Sequence, residues 1–163
     1  MGIDAKKAQK LILKLSDMMR YSIYEGERDF VALKEEVDYL KNYIELHRMR
    51  YHKEINVQFK IQIEDDCSIM PLLFIILLEN AFKHGAQIDG VVAVNINLKV
   101  DENTLNFTIE NSAKNNENSK KGIGLENIKK RLEMVHPKNH FLEILQEEKK
   151  FRVNIKIPIK NEE

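Results

Sequence analysis

The order of helical and strand periodicities puts this chain in the α/β class. It is expected to be a two-layer sandwich of a mixed, mainly antiparallel sheet with helices on one face, preceded by an N-terminal helix. Three observations carry that expectation. Residues 55–63 alternate apolar and polar side chains strictly, as a half-buried strand does. Two further strand pairs, 91–100 with 105–109 and 141–146 with 151–157, are each joined by a short polar connection, Asp101-Glu102-Asn103 and Glu148-Lys149-Lys150. The sequence of elements (helix, helix, strand, helix, strand, strand, helix, strand, strand) lacks the strict alternation that a doubly wound nucleotide-binding fold needs.

Composition bounds the function classes. The 163 residues make one domain with a helical appendage, long enough for a substantial core. Lys+Arg and Asp+Glu both number 26, so no net charge draws the protein towards nucleic acid or a membrane surface, and no nucleic-acid partner is expected. The single Cys67 excludes an internal disulfide and a cysteine-rich zinc site, and fits a reducing compartment. No signal peptide is visible, and the longest apolar run, 69–78 broken by Pro71, is too short to span a bilayer. The chain is expected to be soluble and cytoplasmic.

The elements follow in order. Residues 5–25 predict a helix with a stripe of Ala8, Leu11, Ile12, Leu15, Met18, Met19 and Ile23, an Asp4 N-cap and a stop at Gly26. Such a stripe is usually core. Standing ahead of the compact part, it also suits a partner helix or a second copy. Residues 29–33 suggest a short edge strand. A long helix over 34–51 is acidic in its first turn and basic in its last, as the helix dipole favours, with Val37, Leu40, Tyr43 or Ile44, and Met49 on its apolar face. His47 and His52 stand among arginines, whose charge opposes a metal cation, so no zinc site is assigned. Glu64-Asp65-Asp66 lacks the ligand run of a calcium loop and is read as a solvated turn.

The next helix, Pro71 to Gly85, organises the rest. Proline favours a first helical turn and glycine a C-cap. An apolar run over 72–78 gives way to Glu79, Asn80, Lys83 and His84, whose offsets put them on one polar side of the last turns. Taken alone, this is either a core helix delivering a polar cluster to a site or an amphipathic helix whose end meets solvent. A second stretch tips the balance. Gly122-Ile123-Gly124 precedes a helix over 125–135 with apolar Leu125, Ile128 and Leu132, ended by Pro137. Glycines ahead of a helix N-terminus bring backbone N–H groups and partial positive charge close to a phosphate. Between these two stretches, residues 111–121 hold four asparagines, three lysines and no aliphatic side chain larger than alanine. By itself that is a surface loop; before the Gly122 turn it fits a lid over bound nucleotide.

Glu79-Asn80-Ala81-Phe82-Lys83-His84-Gly85, followed by Gly122-Ile123-Gly124-Leu125-Glu126-Asn127 and then Arg131-Leu132, resembles the N box and second glycine box of the GHKL (Bergerat) ATP-binding fold, shared by histidine kinases, type II topoisomerases, Hsp90 and MutL. The likeness covers nearly the whole chain and is nearest to the LytS-like branch of sensor histidine kinases. Leu15-Ser16 and Arg20-Tyr21 match a pattern at the end of that branch's dimerisation region. The resemblance implies residues 1–26 as the end of the dimerisation and phosphoacceptor region and 27–160 as the ATP-binding catalytic domain. It implies ATP and Mg²⁺ as cofactors, and phosphoryl transfer as the chemistry. Asn80 would be a Mg²⁺ ligand; Lys83 would contact phosphate, with His84 on the same side. Lys121, Gly122, Gly124 and Leu125 would line the phosphates, and Asn111 the adenine. Glu79 and Lys83 are the pair assigned to catalysis. Implied partners are ATP, the histidine-containing dimerisation region, a response regulator and a possible second copy through the first helix. The full-length protein is expected to be membrane-anchored, with this domain cytoplasmic.

Three departures matter. The family's adenine-reading Asp-x-Gly-x-Gly is here Asn111-Ser112-Ala113-Lys114-Asn115, a neutral amide in place of a carboxylate and no glycines. Many members carry an acidic or polar residue one turn before the asparagine. That position is Ile76, which leaves Glu79 as the only nearby carboxylate and argues against a water-activating ATPase such as a topoisomerase or chaperone head. The Asn-Pro-His-Phe phosphoacceptor motif is absent. With Met1-Gly2 read as an artificial start, the chain is expected to be a fragment that does not phosphorylate itself. The alternative is a degenerate GHKL module that binds nucleotide weakly or not at all and serves protein interaction.

Overall fold

A computed structural model describes residues 4–50, 54–114 and 123–159. Its elements are α1 (Ala5–Tyr24), β1 (Val31–Ala32), α2 (Leu33–Arg50), β2 (Glu54–Gln62), β3 (Ser68–Ile69), α3 (Phe74–His84), β4 (Val91–Asp101), β5 (Thr104–Ser112), α4 (Ile123–Val135), β6 (Phe141–Gln146) and β7 (Lys150–Pro158). The main sheet has the order β2-β4-β5-β7-β6. β2 runs parallel to β4, and every other neighbouring pair is antiparallel. A parallel pair needs a long crossover, which the segment containing α3 supplies.

Alternation sets the layers. Val92, Val94, Ile96, Leu98 and Val100 of β4 are buried, as are Leu105, Phe107 and Ile109 of β5 and Val153, Ile155 and Ile157 of β7. Against this face lies α3, apolar through Phe74, Ile75, Leu77, Leu78 and Ala81. Phe74 stacks on Phe107 with ring centroids 4.1 Å apart. Each fully buried side chain of this kind contributes about 1.5–3 kcal/mol. The expected two-layer α/β sandwich is the observed one.

Local signals held at α1, where Asp4 caps by accepting from the Lys6 N–H at 3.1 Å. Its stripe divides. Met18 is buried, whereas Ile12, Leu15, Met19 and Ile23 are exposed. α1 rests on α2 through Tyr21 tilted against Tyr39, ring centroids 5.0 Å apart, and Lys14 paired with Glu45 at 2.6 Å. The edge strand expected over 29–33 shrinks to Val31–Ala32, which pairs with β3, a strand that no periodicity announced. Asp66 is more than a solvated turn residue: its carboxylate accepts from the Lys34 N–H at 3.1 Å and so caps α2 from across the chain.

The largest correction is at Pro71. The helix starts at Phe74, not at the proline, because Leu72 sits at φ 57°. That left-handed conformation is costly for a leucine and stops a helix. Three tertiary hydrogen bonds hold it. The Leu72 N–H donates to Glu36 Oε1 at 2.8 Å, and the Arg131 guanidinium donates to the carbonyls of both Pro71 and Leu72.

Candidate functional site

The C-terminal half of α3 carries Glu79, Asn80, Lys83 and His84 out of the core; Asn80 is half-buried, and the other three are exposed. They do not all face one way. Glu79 and Lys83 line a cavity of about 510 Å³ between α2, α3 and the starts of β2 and β4, together with Tyr43, His47, Phe82 and Val92. His47 stacks on Phe82 at 4.3 Å and Tyr43 lies 5.8 Å from the same ring. This aromatic wall was missed in the sequence because its members are spread over two helices with no shared periodicity. Asn80 follows the residue of α3 that meets α4. It stands one helical turn beyond Ile76, and a Cβ added to Gly124 would lie 3.0 Å from the Ile76 Cγ2.

That contact gives Gly124 a packing part beside the phosphate role expected of it. The residue lies within α4, not in a loop ahead of it. Glycine here lets the first turn of α4 approach α3 at Ile76, and the N–H groups of a first helical turn have no intrahelical acceptor. Leu125 commits its side chain to the core, 6% exposed, so only its backbone is available to a ligand. Lys121, Gly122 and residues 115–120 lie outside the described residues.

Asn111 was placed at the start of a loop and belongs instead to β5. It is 4% exposed, and its Nδ2 donates to the Ser112 carbonyl at 3.0 Å. Ser112 ties this strand end to the turn after α3. Its Oγ donates to the Ala86 carbonyl at 2.6 Å, and its own carbonyl accepts the Ala86 N–H at 2.8 Å. The end of β5 is thereby fixed against the end of α3.

Electrostatics separate the carboxylates. Partial desolvation of its carboxylate beside the cavity wall raises Glu79 above its ordinary value, which makes it the stronger base. Tyr39 is raised by burial and then by Glu79 and Glu36. A cavity of about 650 Å³ at the opposite end of the sheet is lined by Glu64, Asp65, Asp66 and Glu102, a surface that repels a polyphosphate. Among the described residues no cluster of three or more histidine, cysteine or carboxylate side chains is arranged to hold a metal ion.

A mixed sheet under an Asn-bearing helix, with a glycine-opened helix against it, defines the class: the GHKL-type catalytic fold of histidine kinases. Solved structures agree. The catalytic domain of the histidine kinase ThkA superposes with a TM-score of 0.61 at 17% identity, covering 80% of this chain and 96% of that one. The Acinetobacter baumannii histidine kinase AdeS also gives 0.61, at 13% identity over 96% of this chain and 80% of its own. The family model described as Histidine kinase matches residues 1–55. The LytS sensor protein of Oceanobacillus iheyensis is 27% identical over 98% of this chain and 30% of its own length. The sensor histidine kinase YesM of Bacillus subtilis is 28% identical over 96% and 29%. The chain thus spans under a third of the length of these curated relatives. In sequence the chain is similar to LytS-like sensor histidine kinases, and in fold to the GHKL-type catalytic domains of histidine kinases.

Proposed function

We propose that the chain is the ATP-binding catalytic unit of a sensor histidine kinase and passes the γ-phosphate of ATP to a histidine outside these residues. The observation that carries this reading is the close approach of α4 at Gly124 to Ile76 of α3, one turn before Asn80, with the Asn111 end of β5 tied through Ser112 to the end of α3. Polyphosphate in the seam between α3 and α4 would meet His84 and the α4 backbone N–H groups, with Lys121 and Gly122 next in the chain, and the long Lys83 side chain would swing over from the neighbouring α2–α3 cavity to join it. Adenine would reach the Asn111 amide. In a reaction of this class, positioning and charge neutralisation supply most of the acceleration. Glu79, basic through its partial desolvation, would accept a proton from the incoming imidazole.

The residues fit a magnesium ion. Mg²⁺ takes few protein ligands and fills its shell with phosphate oxygen and water, so one amide oxygen on Asn80 suits it better than a carboxylate cage. When bound, the ion would neutralise phosphate charge. The exposed row Ile12, Leu15, Met19 and Ile23 on α1 supports a dimerisation region or second copy as a partner. A response regulator as partner, and membrane anchoring of a longer protein, belong to the same reading, which the relatives' names as sensor kinases support. No helix among the described residues is long and apolar enough to cross a membrane.

Titration calorimetry with a non-hydrolysable ATP analogue and Mg²⁺ tests the reading. Heat is expected at micromolar to millimolar ligand. Asn80→Ala should weaken binding in Mg²⁺ far more than in EDTA, because only the metal-bridged part is lost. Absence of heat at millimolar ligand refutes nucleotide binding, and equal losses in both buffers make Asn80 structural.

A further inference from the structure

The Pro71–Leu72 turn is held from three sides. Leu72 has φ 57°, and the next residue, Leu73, is already helical at φ −78° and ψ −50°. One residue therefore keeps α3 from beginning at the proline, where its sequence favours a start. Glu36 Oε1 accepts both the Leu72 N–H at 2.8 Å and the Tyr21 O–H at 2.6 Å. Glu36 is 0% exposed, and its Oε2 has no hydrogen-bond partner among the described residues. From the other side, Arg131 donates to the Leu72 carbonyl at 3.1 Å and to that of Pro71. A Cβ added to Gly26, just after α1, would lie 2.9 Å from the Leu72 Cδ1. Thus α1, α2 and α4 converge on a single strained residue at the head of the helix that carries Asn80.

We propose that Pro71–Leu72 is a two-state hinge that transmits the position of α1 to the nucleotide end of α3, with Glu36 and Arg131 as its positioning residues. In the observed state the three hydrogen bonds hold Leu72 left-handed. In the other state Leu72 takes right-handed angles and α3 begins about one turn earlier, at Pro71. An N–H in a first helical turn needs no intrahelical acceptor, so the alternative leaves Leu72 unstrained while Glu36 and Arg131 lose their backbone partners. The two states are close enough to be biased because relief of strain on one side offsets lost hydrogen bonds on the other. Tyr21 provides the bias from α1. If α1 moves along α2, the tyrosine hydroxyl leaves Glu36, and the turn loses one of its three supports. Ile76 and Asn80 lie one and two helical turns beyond Leu72. Rotation at the head of α3 therefore reaches the Ile76–Gly124 contact, which has no slack at 3.0 Å to a built Cβ.

The nucleotide part of this inference rests on the reading above; the hinge does not, and the test separates them. Backbone amide exchange is measured across residues 72–77 in the parent chain and in Tyr21→Phe, Arg131→Lys, Leu72→Gly and the double variant Arg131→Lys with Leu72→Gly. Lysine keeps the charge and loses the two-carbonyl fork. Glycine adopts positive φ freely and favours the observed state. Tyr21→Phe and Arg131→Lys should each speed exchange at position 72 by about tenfold, the factor one such hydrogen bond supplies. Leu72→Gly should slow it, and in the double variant should restore parental protection. Affinity for the ATP analogue should fall in Tyr21→Phe and Arg131→Lys, and the Arg131→Lys loss should recover in the double variant. Exchange unchanged within about twofold, or a glycine variant that fails to rescue, overturns the hinge. Rescued exchange with unchanged affinity overturns the transmission. If no variant binds nucleotide at all, the exchange pattern still decides the hinge, and the failure falls on the functional reading.

Discussion

Asn111→Asp supplies the carboxylate that the LytS-like family uses to read adenine, and it should act in opposite directions on the free and bound protein. In the free state the buried Asn111 donates from Nδ2 to the Ser112 carbonyl at 3.0 Å. Aspartate replaces that donor with an acceptor facing another acceptor. The Ser112 carbonyl keeps the Ala86 N–H at 2.8 Å, so it is not orphaned, but the new carboxylate is. Leaving a buried polar group without a partner costs about 1–3 kcal/mol. For a chain of this size that is a fall in melting temperature of roughly 2–10 °C.

With adenine bound, the balance reverses. A neutral amide oxygen accepting from the exocyclic amine contributes about 0.5–1.5 kcal/mol net, and a charged acceptor about 1.5–3. The gain of about 1 kcal/mol corresponds to roughly fivefold tighter binding. The assay is thermal denaturation of parent and variant without nucleotide, followed by calorimetric titration of both with the same ATP analogue. The variant should melt lower and bind tighter. A folded variant whose affinity is equal or weaker refutes the placement of adenine at residue 111. A variant that melts with the parent refutes the account of the Ser112 contact.

Two further outcomes are expected. Burial holds the Glu36 carboxyl above the usual range, against the opposing effects of the Leu72 N–H, the Tyr21 hydroxyl and the Arg131 charge. Folded protein therefore holds that proton more tightly than unfolded chain. Stability from this group is lost as pH rises from the ordinary value near ~4.3 through the raised folded one. Glu36→Gln removes the titration, so denaturant midpoints should shift in favour of the variant as pH rises through that window and stay parallel above it. A difference that does not vary with pH there refutes the raised value. Leu15→Glu with Met19→Glu, on the exposed row of α1, should abolish any dimer detected by analytical ultracentrifugation without lowering the melting temperature. A dimer that survives both charges is not formed by this face.

The features legible in the sequence were those fixed by near neighbours. Asp4 caps α1 through the N–H two positions on, and the alternation of β4 survives intact because one face of that strand is buried along its length. Polar residues at the end of α3 were legible from a change of composition within one helix. Contacts across long separations were not. Leu72 is held by Glu36, 36 positions earlier, and by Arg131, 59 positions later, and these overrule a proline signal that is correct locally. Glu36 was read as a first-turn acid answering the helix dipole, when it is a buried acceptor for two other elements. The split of Glu79 and Lys83 from the Asn80 face depends on where α2 and α4 pack. Helical offsets alone cannot supply that.

The departure at the adenine-reading stretch looks severe as sequence and is mild as structure. Where the family has its first glycine this chain has Ala113. Its side chain is buried, and its N–H donates to the Lys149 carbonyl at 2.9 Å. Neither Ala113 nor Lys114 is among the described residues with positive φ, so the backbone here uses none of the freedom that glycine confers. The strand simply continues past Asn111, locked through Ser112 to Ala86 and through Ala113 to Lys149. A glycine at 113 would therefore remove a buried methyl and loosen the chain without opening a conformation that the fold adopts. Among the described residues, what remains of the departure is one group, an amide where a carboxylate is usual, presented from the same strand end; Asn115 lies outside them. On the proposed reading, adenine recognition at this strand end would turn on the group at residue 111, which is why the single exchange of amide for carboxylate tests it.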